Sequence, residues 1–158
     1  MTEVTIRDYR AADAPATLRV FLEAITITAS ADYSPEQISA WARPEQRRLD
    51  DWDRSMSARS GFVALVQGAV AGFSDVSGDG HVDMMFVSPA AGGRGVGRAL
   101  MHEVEARARQ AGAPRLWADV SITARGFFEH AGFTVQTEQH PVTGGVRMTN
   151  YRMVKTLA

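Results

Sequence analysis

The hydrophobic pattern of the first third of the chain predicts one strand followed by helices. Apolar and polar residues alternate over residues 4–9, as they do in a half-buried strand. From residue 11 to residue 29 apolar side chains recur at helical spacing, which predicts an amphipathic helix. The Ser-Pro-Glu-Gln run at 34–37 is a typical helix start, and we expect the helical stretch that follows it to break at Pro44.

From residue 61 onward short strands dominate, and turns rich in glycine join them. Strands are predicted over residues 61–66, 69–76, 81–87, 115–120, 133–138 and 146–154. Two helices interrupt them, one over residues 95–111 that ends at Gly112 and a short one over residues 123–131 that ends at Gly132. The predicted order β-α-α-β-β-β-α-β-α-β-β is typical of an α+β protein with a mixed sheet and not of a doubly wound one.

Composition narrows the class of protein without identifying it. The 158 residues suffice for one domain with a full core, and we expect residues 1–158 to form a single domain. The formal net charge is −1, so the overall charge predicts neither a nucleic-acid nor a membrane partner. The absence of cysteine excludes disulfides, thiolate metal sites and a cysteine nucleophile. The sequence shows no signal peptide and no apolar run long enough to span a bilayer, and we expect a cytoplasmic protein.

The glycine-rich segment from residue 87 to residue 101 carries the strongest chemical signal. A strand leads through a proline-bearing turn and the glycines of residues 92–97 into the amphipathic helix. Glycines let the backbone approach a ligand closely, and a helix start offers free N–H donors at the positive end of its dipole. Because Arg94 and Arg98 add positive charge, the segment predicts a binding site for phosphate groups.

Three phosphate-binding motifs compete for this segment. A P-loop requires lysine and then serine or threonine after its last glycine, whereas Arg98 and Ala99 follow Gly97, which argues against nucleotide hydrolysis. A dinucleotide fingerprint requires glycine at position 100, which is leucine, and a parallel βαβ setting. The segment instead resembles the pyrophosphate-binding motif of the GNAT superfamily of acyl-CoA N-acyltransferases. Gly95 and Gly97 match that motif, and Gly92 stands where glutamine or arginine is usual.

A second segment, residues 119–133, is similar to another signature of the same superfamily. Its short helix matches the family pattern at Ala124, Phe127, Gly132 and Phe133. Phe128 stands where many members use a tyrosine to protonate the departing CoA thiolate. Phenylalanine cannot donate a proton, so either another group or water must do so. A general acid contributes about 10²–10⁴-fold, and its loss is survivable.

The resemblance covers nearly the whole chain and implies an N-acetyltransferase that uses acetyl-CoA as its cosubstrate. It implies a GNAT-like fold, with a central, mixed but mostly antiparallel sheet flanked by helices. The acetyl group would pass directly to a primary amine on a small molecule or peptide in a ternary complex, and a homodimer is a reasonable expectation. The backbone N–H of Val87 would polarise the thioester carbonyl. The implied cofactor contacts are Phe86, Val87, Gly92, Gly93, Arg94, Gly95, Val96, Gly97, Arg98, Ser121, Ala124, Arg125, Phe127 and Phe128.

Two further residues are candidates for proton transfer. Asp83 lies in an otherwise apolar predicted strand and shares a face with Met85 and Val87, so we expect a partly desolvated carboxylate that acts as the general base. The alternative is a structural carboxylate bonded to nearby backbone or to His81. Tyr33 lies in the region that roofs the acceptor pocket in the superfamily, where it could line the amine site or replace the missing acid. Histidine and carboxylate residues show no metal-binding spacing, and we predict no metal.

Two other functions stay open from the sequence. The absent tyrosine supports a catalytically weak domain that binds or senses acyl-CoA. Alternatively, the glycine loop is only a turn in an unrelated α+β binding module. The acceptor is also open, although acidic residues of the first half, such as Glu23, Asp32 and Glu36, hint at a cationic amine.

Overall fold

The computed structural model describes residues 3–157, and its longer strands form two antiparallel sheets. The first contains β1 (Val4–Asp8), β2 (Phe62–Val66), β3 (Ala69–Ser74) and β4 (Met85–Val87) in the order β1-β2-β3-β4. The second contains β5 (Arg115–Ser121), β6 (Thr134–Gln139) and β9 (Asn150–Thr156) in the order β5-β9-β6. Between β6 and β9 the chain forms a small hairpin of β7 (Val142–Thr143) and β8 (Val146–Arg147).

The helices confirm the predicted α+β class. They are α1 (Ala14–Glu23), α2 (Pro35–Ala42), α3 (Leu49–Ala58), α4 (Val96–Gln110) and α5 (Arg125–His130). The helix predicted over residues 11–29 begins as α1, but its last part is a π-helical turn, Ala24–Thr28. The Ser34 hydroxyl accepts the N–H of Gln37, so the predicted start signal caps α2. The predicted break at Pro44 is confirmed, since Arg43 adopts a left-handed conformation that ends α2.

Two predicted strands differ most from the structure. The strand predicted over residues 81–87 forms only at β4 because the carboxylate of Asp75 accepts the N–H groups of Asp83 (2.9 Å) and Met84 (3.1 Å). Those two N–H groups are therefore lost to strand pairing. The strand predicted over residues 146–154 is divided into β8 and β9, because β8 turns back on β7 instead of continuing the large sheet.

Apolar side chains cover both faces of the first sheet. Successive residues of a strand point to opposite faces. Phe62 and Ala64 of β2 accordingly pack in the cluster that contains Leu100 of α4, whereas Val63 packs in the cluster that contains Trp52 of α3. The residues of α4 that recur every four positions, Val96, Leu100, Val104 and Ala108, are all buried in the first of these clusters and hold α4 against the sheet.

A backbone bridge joins the two sheets where His81 pairs in parallel with Trp117 of β5. Trp117 donates its N–H to Gly80 O (2.9 Å), Val82 donates its N–H to Trp117 O (2.9 Å), and the His81 ring stacks on the indole with centroids 3.8 Å apart. Gly80 has a φ of +91°, and a Cβ there would overlap the carbonyl oxygen of Arg115. The close approach therefore requires glycine, and it brings the edges β4 and β5 together across a gap.

Candidate active site

The backbone of β4 presents two N–H groups to the gap between the sheets. The register pairs Val87 with Gly72, and the neighbouring Ser88 donates its N–H to Ala71 O (2.8 Å). Bonded and non-bonded pairs alternate along an antiparallel ladder, so Met85 and Val87 turn their N–H groups away from β3. Among residues 3–157 no strand pairs with β4 on that side. The Val87 N–H is thus available to a ligand in the gap, as the family resemblance implies.

The glycine-rich loop ends in an open helix start. Gly93 and Gly95 both have a φ of +78°, a left-handed conformation that favours glycine. Gly95 is the N-terminal cap of α4, and no side chain caps the helix. The N–H groups of its first turn are therefore free to bind an anion. Arg94 and Arg98 are exposed around this end, whereas the Val96 side chain is buried in the core and leaves only its backbone for a ligand.

A cavity of about 240 Å³ lies between β4, the π-helical turn and α5, and we call it the cofactor cavity. It brings the two sequence signatures together. Its lining includes these predicted cofactor residues: Phe86, Val87, Gly97, Ser121, Ala124, Phe127 and Phe128. A Cβ at Gly97 would lie 3.0 Å from the Phe127 ring, so glycine permits the close packing of α4 and α5 beside this cavity.

A second cavity, of about 320 Å³, opens on the other side of the same gap, and we call it the acceptor cavity. Tyr33 and Asp83, the two proton-transfer candidates, both line it. Trp41, Phe86 and Ser121 line both cavities, and a smaller space of about 70 Å³ between β4 and β5 is lined by the same three residues. The cavities therefore meet at these three side chains, beside the free edge of β4.

Asp83 reaches the acceptor cavity, but its environment differs from the prediction. Its side chain is 47% exposed and forms an ion pair with Arg59. The expectation of a desolvated carboxylate on the same strand face as Met85 and Val87 was wrong, because residue 83 lies outside β4. The alternative, a structural carboxylate bonded to nearby backbone or to His81, does not describe it either, because its carboxylate pairs with Arg59.

A carboxylate that the structure does bury next to residue 83 is Asp75, which the sequence reasoning missed. Its side chain is 4% exposed and accepts both backbone N–H groups of Asp83 and Met84. Burial raises the pKa of Asp75 to about 6, against the opposing effects of the nearby Arg59 cation and the Met84 N–H. An acidic residue directly after the apolar strand β3 was the available signal. Asp75 acts by fixing the backbone that carries Asp83.

Tyr33 is buried, and both functions of its hydroxyl are occupied. The hydroxyl donates to Thr149 O (2.6 Å) and accepts the N–H of Ile122 (3.0 Å). Burial raises the pKa of Tyr33 above its ordinary value. A phenol with a raised pKa that already donates its proton is a poor acid, so these contacts favour a positioning role. Tyr33 ties the loop after the first helix to the β5–α5 turn and to the start of β9.

Asp119 is a second acidic residue of the acceptor cavity that the sequence reasoning did not single out. Its carboxylate accepts hydrogen bonds from Arg152 (2.6 Å) and Gln139 (2.8 Å). Burial acts to raise the pKa of Asp119, but the bonds from Arg152 and Gln139 outweigh it and hold the pKa below its usual value. Its position at the head of the second signature was the only hint in the sequence. A carboxylate held ionised in this way is a weak base.

Two other predicted cofactor residues have partners of their own. Phe128 is 5% exposed, and its ring packs edge-on against Phe133 with centroids 5.0 Å apart. It still lines the cofactor cavity, where it offers no proton. The guanidinium of Arg125 lies 4.6 Å from the ring centre of Tyr151 and 3.6 Å from the Glu129 carboxylate. Arg125 therefore has partners within the protein, whereas Arg94 and Arg98 are exposed near the start of α4.

Residues 3–157 contain no cluster of metal-ligating side chains and no helix suited to cross a bilayer. No three histidine, cysteine, aspartate or glutamate residues of this part come together as ligands for a metal ion. No helix in the same range combines the length and the apolar character needed to cross a bilayer.

Comparison with known proteins addresses the family directly. The family described as "Acetyltransferase (GNAT) domain" matches residues 29–155. The chain is 35% identical over 153 residues to YafP of Escherichia coli K12, described as an uncharacterized N-acetyltransferase, and the match covers 97% of this chain and 96% of YafP.

Solved structures agree with the sequence comparison. A GCN5-related N-acetyltransferase from Rhodopseudomonas palustris superposes with a TM-score of 0.93 at 31% identity, covering 99% of this chain and 98% of that one. YncA from Salmonella typhimurium, solved with its cofactor acetyl-CoA, shares the fold with a TM-score of 0.73 at 22% identity, covering 99% and 95%. The chain belongs to the GNAT superfamily and is an acyl-CoA-dependent N-acetyltransferase.

Proposed function

We propose that the protein transfers the acetyl group of acetyl-CoA directly to a primary amine while both substrates are bound. The observation that carries the proposal is the meeting of the two cavities at Trp41, Phe86 and Ser121. A substrate entering from each side would bring its reactive atom to this junction. Direct transfer needs such a junction, because holding both reactants in attack geometry supplies much of the rate.

The glycine loop and the free edge of β4 suit acetyl-CoA. The N–H groups of residues 93–97 would hold the pyrophosphate, with Arg94 and Arg98 contributing charge, whereas the N–H of Gly92 is bonded to Pro89 O (3.3 Å). Acetyl-CoA supplies an activated thioester whose carbonyl oxygen gains negative charge when the amine attacks. The Val87 N–H, fixed by the β3–β4 ladder and turned into the gap, would stabilise that charge.

Two protons must leave the amine during the reaction. Asp83 would take the first from the ammonium group, because its carboxylate lines both the acceptor cavity and the space between β4 and β5. Asp119 is the weaker candidate, since its low pKa disfavours proton uptake. The amine nitrogen then bonds to the acetyl carbon, the carbon–sulfur bond breaks, and the nitrogen gives its second proton to solvent. Water would protonate the departing thiolate, because Phe128 has no hydroxyl and the Tyr33 hydroxyl is already bonded.

The test is steady-state kinetics of CoA release for wild type and Asp83→Asn, followed with a thiol reagent. The chain contains no cysteine, so the protein itself gives no background. Loss of the base should lower kcat/KM for the amine by about 10²–10⁴-fold at pH 7, with the KM for acetyl-CoA nearly unchanged. The loss of kcat/KM in Asp83→Asn should become smaller as the pH approaches the pKa of the amine, because the amine then deprotonates without a base.

Asp51→Asn is the matched control, because Asp51 is also an exposed aspartate paired with an arginine, Arg54 (3.0 Å), but it lines neither cavity. An Asp83→Asn enzyme with the pH–rate profile of wild type would exclude Asp83 as the base. Parallel double-reciprocal lines, the pattern of a covalent acetyl-enzyme, would exclude direct transfer.

A further inference from the structure

Two arginines form part of the acceptor cavity wall just after α2. Arg43 is exposed and adopts a left-handed backbone conformation with a φ of 41°. Arg47 is half-buried; its guanidinium donates to Ala42 O (3.0 Å) and Trp41 O (2.9 Å). Neither arginine is paired with a carboxylate within residues 3–157. Both therefore present positive charge that the protein does not neutralise.

The acidic residues of the same cavity do not offset this charge. Asp83 is paired with Arg59, and Asp119 is paired with Arg152, so each carboxylate already has its own cation. Burial lowers the pKa of Arg47, and the neighbouring charge of Arg43 lowers it further, as expected where two cations share a site. The local excess of charge in the cavity is positive. The acidic residues that hinted at a cationic acceptor, Glu23, Asp32 and Glu36, line neither cavity.

Apolar and aromatic side chains form much of the rest of the cavity wall, together with the polar residues Ser121, Thr143, Thr149 and Asn150. Phe21, Trp41, Met84, Phe86 and Met148 contribute to its wall. Arg47 also lies over the ring of Phe21, 4.7 Å from its centre, which places the cation directly beside the apolar surface. A volume of about 320 Å³ suits a small molecule, and such sites combine a mostly apolar lining with a few polar groups that fix orientation.

We propose that the acceptor is a small primary amine that carries an anionic group, a carboxylate or a phosphonate, on an apolar body. Arg43 and Arg47 bind the anionic group, the aromatic wall takes the apolar body, and the amine faces Asp83 at the junction of the cavities. Polycationic amines are disfavoured because they place a second positive charge beside two arginines. This inference rests on the proposed function and adds the class of acceptor to it.

The experiment compares matched acceptors that differ only in the anionic group. Phenylalanine is measured against phenethylamine and phenylalanine methyl ester, 4-(aminomethyl)benzoic acid against benzylamine, and 1-amino-2-phenylethylphosphonic acid tests the phosphonate. Spermidine represents the polycations. Rates are expressed per neutral amine, so that differences in amine pKa do not distort the ratio. In at least one pair, kcat/KM should be about 10-fold or more higher for the anionic member, and the ratio should fall as salt is added.

The arginine variants then assign the preference to the cavity. Arg43→Gln should reduce the anionic-to-neutral ratio by about 10-fold, and Arg43→Lys should keep more of it, because lysine preserves the charge without the forked geometry. Arg48→Gln is the matched control, since Arg48 is an exposed arginine of the same loop that does not line the cavity, and it should keep the wild-type ratio. Arg47→Gln is a second test if that variant folds. The result for Arg43→Gln is decisive whether or not Arg47→Gln folds.

The outcomes separate this inference from the proposal that it extends. Acetylation of neutral or polycationic amines with equal or better kcat/KM overturns the anionic acceptor and leaves direct transfer standing. An anionic preference that survives in Arg43→Gln also overturns it, because the arginines would not be the cause. If acetyl-CoA binds and no amine is acetylated in any arm, both the proposed function and this inference fail.

Discussion

The buried carboxylate of Asp75 gives a pH dependence whose sign and size follow from the structure. The folded protein raises its pKa from 3.8 to about 6. At 1.36 kcal/mol per pKa unit, this difference corresponds to about 3 kcal/mol of stability. Because the folded pKa is the higher one, the contribution is fully present below the unfolded pKa near 4 and is lost as the pH rises through 6. About 2 kcal/mol of it should be present at pH 4.5 and almost none at pH 7.5.

The perturbation is Asp75→Asn, which removes the titration and keeps the shape of the side chain. Its amide oxygen can still accept an N–H, but its NH₂ group will face the backbone N–H of Asp83 or Met84. Such a mismatch costs about 1–3 kcal/mol, and the loss of the buried charge at neutral pH offsets it. Wild type and variant should therefore be similar in stability at pH 7.5. The free energy of unfolding of wild type minus that of the variant should be about 2 kcal/mol larger at pH 4.5 than at pH 7.5.

Urea denaturation at pH 4.5, 6.0 and 7.5, followed by tryptophan fluorescence, measures the free energy of unfolding of both proteins. The quantity that matters is the difference between them at each pH, because all other titrations cancel in it. Asp51→Asn, which changes an exposed carboxylate, should give a nearly constant difference from wild type. A difference for Asp75→Asn that is flat, or that increases toward neutral pH, would show that the carboxylate is not held in a desolvating site.

Two further substitutions test the junction of the cavities. Tyr33→Phe should lower the free energy of unfolding by about 1–3 kcal/mol, since Thr149 O and Ile122 N–H lose their partner. The same variant should lower kcat by less than about 10-fold. A loss of kcat of about 10²-fold or more, with an altered basic limb of the pH profile, would instead identify Tyr33 as the acid. Trp41→Ala should raise kcat/KM for butyryl-CoA relative to acetyl-CoA by about 10-fold, because Trp41 closes the space where the acyl group would lie. Unchanged selectivity in an assay with both thioesters would place the acyl group elsewhere.

Local signals in the sequence were enough to predict the elements that form the cofactor side of the site. Gly95 precedes a helix whose apolar residues recur every four positions, and both features are readable without the fold. The short helix α5 was equally readable from Ala124 and Gly132. Each of these features depends on neighbours within a few residues, so pattern and spacing predict it. The family resemblance then related the two segments to one ligand, and the cofactor cavity contains residues of both.

The acceptor side depended on contacts between distant parts of the chain. Asp75 cuts β4 short by binding the backbone eight and nine residues later, and no periodicity reveals which carboxylate will do so. Arg47 joins the cavity wall because the chain breaks at Pro44 and folds back on α2, a contact that no local pattern in the sequence indicates. The prediction for the environment of Asp83 was wrong because it too depends on a distant contact, since its partner Arg59 lies at the end of α3.

The division of the sheet explains why one edge can serve two substrates. If β4 extended back to residue 81 and paired with β5, the N–H groups of Met85 and Val87 would be used in the ladder and the gap would close. The hydrogen bonds from the N–H groups of residues 83 and 84 to the Asp75 carboxylate prevent this, so that pairing with β5 stops at the bridge between His81 and Trp117. The strand edge left open is polar backbone beside mostly apolar side chains, an arrangement that is costly until a partner arrives. A thioester whose carrier chain offers carbonyl acceptors along its length would restore those hydrogen bonds, whereas a small acyl phosphate would offer too few. We therefore expect the open edge to favour acetyl-CoA as the donor, with its last N–H, at Val87, beside the junction where the carbonyl would be attacked.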